Sequence, residues 1–271
     1  MDGLFTSIGP LPLLLFLGLG ALVGTIAGLF GVGGGLVIVP ALIWGLPLLR
    51  LGGEHTTHLA VGTSLMTIVV TSLAAIRAHH RRGGVLWGSF WRLTPGILAG
   101  ASLGGLLAGQ LDGLMLQRLY GLFALMVGVH LLSRVTARRN SLAAGPLLSG
   151  LAGGVIGLVS ALVGIGGGTM TVPFLNATGV EMRQAVATSS ACGLPIALAG
   201  ALSFIYVGWG QAGLPWGSSG YVYWPVALII VATSSLFAPV GAALAHHLPG
   251  ARLRQVFALF LLLVGGRLLL G

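Results

Sequence analysis

"GLFGVGGGLVIVPAL", Gly28 to Leu42, and "SALVGIGGGTMTVPFL", Ser160 to Leu175, follow one pattern: three consecutive glycines, then a short apolar segment that reaches a proline. Gly33 and Gly166 are 133 positions apart, as are Pro40 and Pro173, so the two stretches align without a gap. Three adjacent glycines cost about 1 kcal/mol each in helix propensity, and close packing of helices needs only one small residue per turn. Each run therefore breaks a helix, and the short segment after it reads as the second arm of a hairpin or broken helix.

The repeat extends along the chain. "AVGTSL" at Ala60 answers "AVATSS" at Ala185, "GGVLW" at Gly83 answers "GYVYW" at Gly220, and Gly104, Gly128 and His130 pair with Gly241, Gly265 and Arg267. The expected organisation is two homologous halves, about 1–140 and 141–271, forming one integral membrane domain. Of the 271 residues 56% are hydrophobic and 6% charged, with a mean hydropathy of +1.02, far from the roughly 25% charged residues of a soluble domain. The pattern predicts apolar segments at about 10–30, 34–48, 55–78, 88–110 and 114–134, then 146–164, 168–178, 183–207, 221–245 and 252–270. The fold class read from these is an all-α polytopic membrane protein, each half having three full spans plus a glycine-broken helical hairpin. The N-terminus "MDGLFTSIGPLPLLLF" has no basic leader or small-residue cleavage site and reads as part of the mature chain.

The formal charge of +9 includes thirteen arginines and no lysine. Most of them flank apolar runs, which points to orientation in a membrane and not to nucleic acid. "RAHHRR" (77–82) and "SRVTARR" (133–139) are separated by two spans and fall on one side, the cytoplasmic one. In the second half the basic loop is "HHLPGARLR" (246–254), while "GWGQAGLPWGSSG" (208–220), the counterpart of the first cytoplasmic loop, is uncharged. Matching loops thus face opposite sides, as inverted repeats require.

Non-helical backbone inside a bilayer survives only where protein or a watery cavity satisfies it. A glycine run that opens a half-helix presents free amide N–H groups and the positive end of a helix dipole. Two such ends converging near the midplane suit a small anion. The candidate binding residues are Gly33, Gly34, Gly35, Gly166, Gly167, Gly168 and the adjacent Thr169. Hydroxyls at Thr63 and Ser64, paired with Thr188 and Ser189, could complete the anion's hydrogen bonds; Thr67, Thr71, Ser190 and Cys192 accompany them. Two bland readings stand beside these. Glycines spaced by four, as at Gly20, Gly24, Gly28 or Gly100, Gly104, pack helices, and Ser or Thr can bond back to their own helix. His58, one turn inside a span, is a further candidate for substrate or proton binding, with an interfacial histidine as the alternative. Arg92 either attracts anions toward the pathway or snorkels to the interface.

All four acidic residues, Asp2, Glu54, Asp112 and Glu181, fall at segment ends or in loops, so no buried carboxylate relay is evident. The single cysteine, Cys192, allows no intramolecular disulfide and no cysteine-based metal cluster. No Ser/His/Asp or Cys/His set, metal site or cofactor motif is legible, and the glycines lack the Lys-Ser/Thr of a nucleotide loop. The chain reads as no enzyme.

The motifs "GLFGVGGGLVIVPAL", "HLAVGTSL", "ALVGIGGGTMTVPFL", "QAVATSSACGLPIALAGA", "GSSGYVYWP" and "PVGAALAHHLPGARLRQVFALFLLLVG" resemble the sulfite exporter TauE/SafE family of bacterial membrane proteins, within the toluene sulfonate uptake permease group. The resemblance covers nearly the whole chain. It implies a secondary transporter, often an exporter, of sulfur-containing anions such as sulfite or organosulfonates across the inner membrane. The implied partners are the anion, the bilayer and a candidate coupling ion such as the proton. An uncoupled anion channel and a structural subunit of a membrane complex are the alternatives.

Overall fold

The computed structural model describes residues 10–30, 34–133, 145–247 and 250–270. Gly33, residues 1–9 and most of the arginine-bearing segment 133–139 lie outside them. Ten helices are described: α1 (Pro10–Phe30), α2 (Gly35–Leu48), α3 (Thr56–Arg81), α4 (Trp87–Ala108), α5 (Gly113–Leu132), α6 (Pro146–Val163), α7 (Gly168–Ala177), α8 (Met182–Val207), α9 (Trp224–His247) and α10 (Gly250–Leu270). Each begins and ends within a few residues of an apolar segment expected from sequence. Among the described residues four helical stretches, Gly53–Arg81, Gly113–Leu132, Pro146–Val163 and Met182–Val207, are long and apolar enough to cross a membrane.

Local chemistry sets the boundaries. Pro146 opens α6 at a position where its missing N–H costs nothing, and Gly164 closes that helix in the left-handed conformation, φ 74°. Asp112 caps α5, its carboxylate accepting the Met115 amide at 2.6 Å. The segments after the glycine runs are short. Helices α2 and α7, with 14 and 10 residues, are about 21 and 15 Å long at 1.5 Å per residue, against about 30 Å of hydrocarbon.

Helix contacts at glycines give the directions. Gly96, Gly100 and Gly104 of α4 meet Gly150, Gly154 and Leu158 of α6 in ascending order, so these two helices run parallel. Gly20 of α1 meets Ile230 and Thr233 of α9, and Gly24 meets Ser234, again in the same sense. The order reverses between α3 and α8, where Gly62 faces Phe204, Leu65 faces Gly200 and Ser72 faces Gly193. It reverses also between α5 and α10, where Gly121 faces Leu269 and Gly128 faces Leu262. The four-spaced glycines Gly20, Gly24, Gly100 and Gly104 thus serve as packing seams.

One element was not expected. Ser218–Ser219 and Val222–Tyr223 form a two-stranded antiparallel hairpin that joins the end of the uncharged loop (208–220) to the first residues of the segment expected at 221–245. Gly220, at φ 53°, takes the first position of its two-residue turn. Tyr221 at its tip is buried against Phe204, His55 and His58.

A buried hydroxyl secures the first broken helix. Pro40 has no N–H to offer the carbonyl one turn earlier, that of Leu36, and the fully buried Tyr120 of α5 donates its hydroxyl to that oxygen at 2.7 Å. Tyr120→Phe should therefore cost about 1–3 kcal/mol, the penalty for orphaning a buried acceptor. A denaturation midpoint unchanged from that of the parent protein would show that the carbonyl has another partner.

Candidate functional site

The two glycine breaks meet inside the protein. Gly34 is the N-cap of α2 with φ 75°, and Gly35 begins that helix. A Cβ on Gly35 would lie 2.8 Å from the Gly164 carbonyl and 2.9 Å from the Ile165 Cα, so the start of α2 packs directly on the turn that ends α6. Gly166 and Gly167 are buried, and Gly168 begins α7. The first amides of α7 have no intrahelical acceptor, by the geometry of any helix start.

Of the threonine and serine candidates, Ser64 bonds to this junction, Thr63 and Thr188 anchor loops of the opposite half, and the others bond back along their own helices. Thr63 of α3 accepts the Tyr223 amide at 3.0 Å, and its counterpart Thr188 of α8 accepts the Leu86 amide at 2.9 Å. Each half thus anchors the loop that precedes a helix of the other half. Ser64 donates to the Gly164 carbonyl at 2.8 Å and fixes the end of α6. Ser189 and Ser190 both donate to the Val186 carbonyl of their own helix, at 2.9 Å each. Thr67 and Thr71 also bond back along α3.

The two runs differ in polarity. Among the described residues the buried side-chain polar atoms without a partner are His58 Nδ1 and the hydroxyls of Ser160, Thr169, Thr171 and Ser218. Three of these hydroxyls flank the second glycine run, and an unpaired buried hydroxyl carries a penalty of about 1–3 kcal/mol, so something polar is expected beside them. Pro173 frees the Thr169 carbonyl as Pro40 frees that of Leu36. The residue at the place of Tyr120, however, is Phe257, which has no hydroxyl to offer it.

Two residues outside the sequence-derived set join Gly167. Thr171 is fully buried, and its Oγ1 lies 3.0 Å from where a Gly167 Cβ would sit. Across from it, Ser72 Oγ lies 3.0 Å from the corresponding point on Gly193, which is itself 3.8 Å from the Gly167 nitrogen. Attention to matched polar residues passes over both, because their counterparts in the other half are apolar.

The remaining candidates lie apart. His58 is buried near the other end of α3, with Nε2 3.0 Å from the Ala108 carbonyl and its ring 4.8 Å from that of Tyr221. It braces the hairpin. Cys192 is fully buried in an apolar cluster with Ile156, Leu175 and Ile196. Exposed Arg92 lines a cavity of about 170 Å³ with Ser89, Ser149, Phe174 and Thr178, at the C-terminal end of α7. A larger cavity, about 490 Å³, is an apolar groove between α4 and α8 lined by exposed Leu98, Leu198, Leu202 and Tyr206; no glycine of either run touches it. Among the described residues no three His, Cys, Asp or Glu side chains converge.

Comparison with known proteins agrees with a membrane function. A "Probable membrane transporter protein" of Haemophilus influenzae is 38% identical over 253 residues, covering 93% of this chain and 96% of the relative. "Probable membrane transporter protein MJ0441" of Methanocaldococcus jannaschii is 30% identical over 228 residues, 81% of this chain and 80% of the relative. "Probable membrane transporter protein YunE" of Bacillus subtilis is 26% identical, over 93% and 95% of the two chains. No solved structure matches significantly. With the family's pattern running from residue 16 to residue 268, almost end to end through both glycine breaks, the chain belongs to the sulfite exporter TauE/SafE family and is a membrane transporter.

Proposed function

We propose that this transporter moves small sulfur-containing anions, such as sulfite or organosulfonates, outward across the inner membrane by alternating access of two inverted repeats, 1–140 and 141–271. The opposed directions support the inverted reading. Helices α3 and α8 are antiparallel, as are α5 and α10, while the parallel pairs α4 with α6 and α1 with α9 exchange partners between halves. Helix α1 ends at Phe30 and α2 begins at Gly35, and in the second half α6 ends at Val163 and α7 begins at Gly168. The observation that carries the proposal is the contact of these two breaks, Gly35 against Gly164 and Ile165, beside the open start of α7. That start offers amide donors and a positive dipole end to an anion without a compensating basic side chain. Thr63, Ser64 and Thr188 hold the surrounding backbone in place, and Arg92 draws anions to the far end of α7.

A second reading, an uncoupled anion pathway, is favoured by one feature. Glu54, Asp112 and Glu181 all stand at helix starts, outside the helix interiors where a proton relay would run. Proteoliposomes loaded with sulfite or methanesulfonate, with and without an imposed proton gradient, separate the two. Coupled transport is expected to drive the anion uphill when the gradient is present, whereas an uncoupled pathway only equilibrates it. No protein-dependent flux of either anion, with a carboxylate control carried instead, would overturn the sulfur-anion reading.

A further inference from the structure

We infer that the anion site is asymmetric: it is built at the second glycine run alone, from the Gly167 amide and the hydroxyls of Thr171 and Ser72, and it takes the three-oxygen headgroup of sulfite or a sulfonate. The inference rests on the proposed transport of such anions and adds the residues that read them. Thr171 is fully buried and its hydroxyl has no partner. It points to the N-terminal turn of α7, 3.0 Å from where a Gly167 Cβ would be. Ser72, only 7% exposed, makes no hydrogen bond through its hydroxyl, which lies 3.0 Å from where a Gly193 Cβ would be, a point 3.8 Å from the Gly167 nitrogen. Two idle hydroxyls and a free helix-start amide are three donors around one spot, and a pyramidal anionic headgroup presents three acceptor oxygens.

The symmetry-related position at the first glycine run lacks every part of this cradle except the glycine. Aligning the runs places Ile38 where Thr171 stands, and aligning α3 with α8 places Ile68 at the position of Gly193 and Ala197 at that of Ser72. Ile68 fills space there: its Cδ1 is 3.1 Å from a Gly35 Cβ position. In the first half Tyr120 also takes the carbonyl that Pro40 frees. Half one therefore supplies apolar Ile38 and Ile68 at the matching positions, and one hydroxyl, from Ser72, to a polar site that half two opens.

The test uses the full-length protein in detergent, titrated separately with sulfite and methanesulfonate, with melting followed in the absence and presence of each anion. Thr171→Val and Ser72→Ala are each expected to weaken binding about tenfold or more, one charge-assisted hydrogen bond being lost. Their ligand-free melting temperatures are expected to stay level or rise, since neither hydroxyl has a protein partner to lose; a structural role would lower them. Gly193→Ala, whose methyl would stand 3.0 Å from Ser72 Oγ, should weaken binding too. Weakening for both anions shows that the headgroup is read, and weakening for one alone identifies which headgroup the cradle fits. Parent-like affinity in both hydroxyl variants, with the parent binding normally, overturns the asymmetric site and leaves the transport reading standing. A parent protein that binds neither anion overturns both.

Discussion

Gly167→Leu is expected to yield a folded, helical membrane protein that neither transports sulfur anions nor is stabilised by them. The backbone at this position has φ −62°, which any residue adopts, so the change carries no conformational penalty. The new Cβ meets Thr171 Oγ1 at 3.0 Å and both the Ile196 Cδ1 and the Ser189 carbonyl at 3.1 Å, which a small local shift relieves. The rest of the leucine would stand where the anion is proposed to bind. A parent protein with anion at about 100 times its dissociation constant gains about 2.7 kcal/mol of stability; the variant should gain none, and flux should fall at least about a hundredfold. Circular dichroism, anion-dependent melting and liposome flux decide together. Normal flux would remove the second glycine run from the pathway. Gly34 is a poorer probe of the same idea, because its φ of 75° makes any side chain strained, so loss of function there reports backbone and ligand together.

Gly100→Leu should destroy the fold itself. Its Cβ would run into the backbone of Gly154, whose carbonyl carbon and Cα lie 2.7 and 2.9 Å away, and backbone cannot step aside as a side-chain tip can. Gly96 and Gly104 hold the same seam against Gly150 and Leu158, so α4 and α6 would have to separate along their length. The expected cost exceeds about 3 kcal/mol, in the range of severe overpacking. It is read as loss of monodisperse protein or a collapsed melting temperature, which added anion does not rescue. Gly18→Leu is the matched control, with nothing within 4 Å of its Cβ position, and should leave stability unchanged or slightly higher. Equal behaviour of the two variants would show that the α4–α6 seam is not tight.

Much of the architecture is legible in the chain because hydropathy and glycine act locally. An apolar run long enough for a bilayer must form a helix, since lipid offers its backbone no partner. A triple glycine followed by a proline must interrupt one. The ten segments and the two breaks follow from those rules. The short hairpin at 218–223 does not, since it consists of two-residue strands with no periodicity to detect. Its place is decided by Gly220 and by the pocket that receives Tyr221.

The candidate site was legible only in part, and the reason is specific. Likeness between the halves singles out Thr63 and Thr188, and in the fold their hydroxyls accept amides from the opposite half, a structural task that both halves must repeat. Difference between the halves singles out Thr171, Ser72 and Gly193 against Ile38, Ala197 and Ile68. Those differences carry weight only once α3, α7 and α8 are seen to meet at Gly167. The amino-acid sequence by itself determined that the chain is helical, apolar, internally repeated and twice broken by glycine, because each of these is a property of neighbouring residues. The tertiary structure alone decided that the starts of the two short helices are reached by the opposite half, that Tyr120 takes the carbonyl freed by Pro40, and that three of the buried hydroxyls left without partners flank the second run. A hydrogen bond between residues 84 positions apart, or its absence, is settled by packing and by no local pattern.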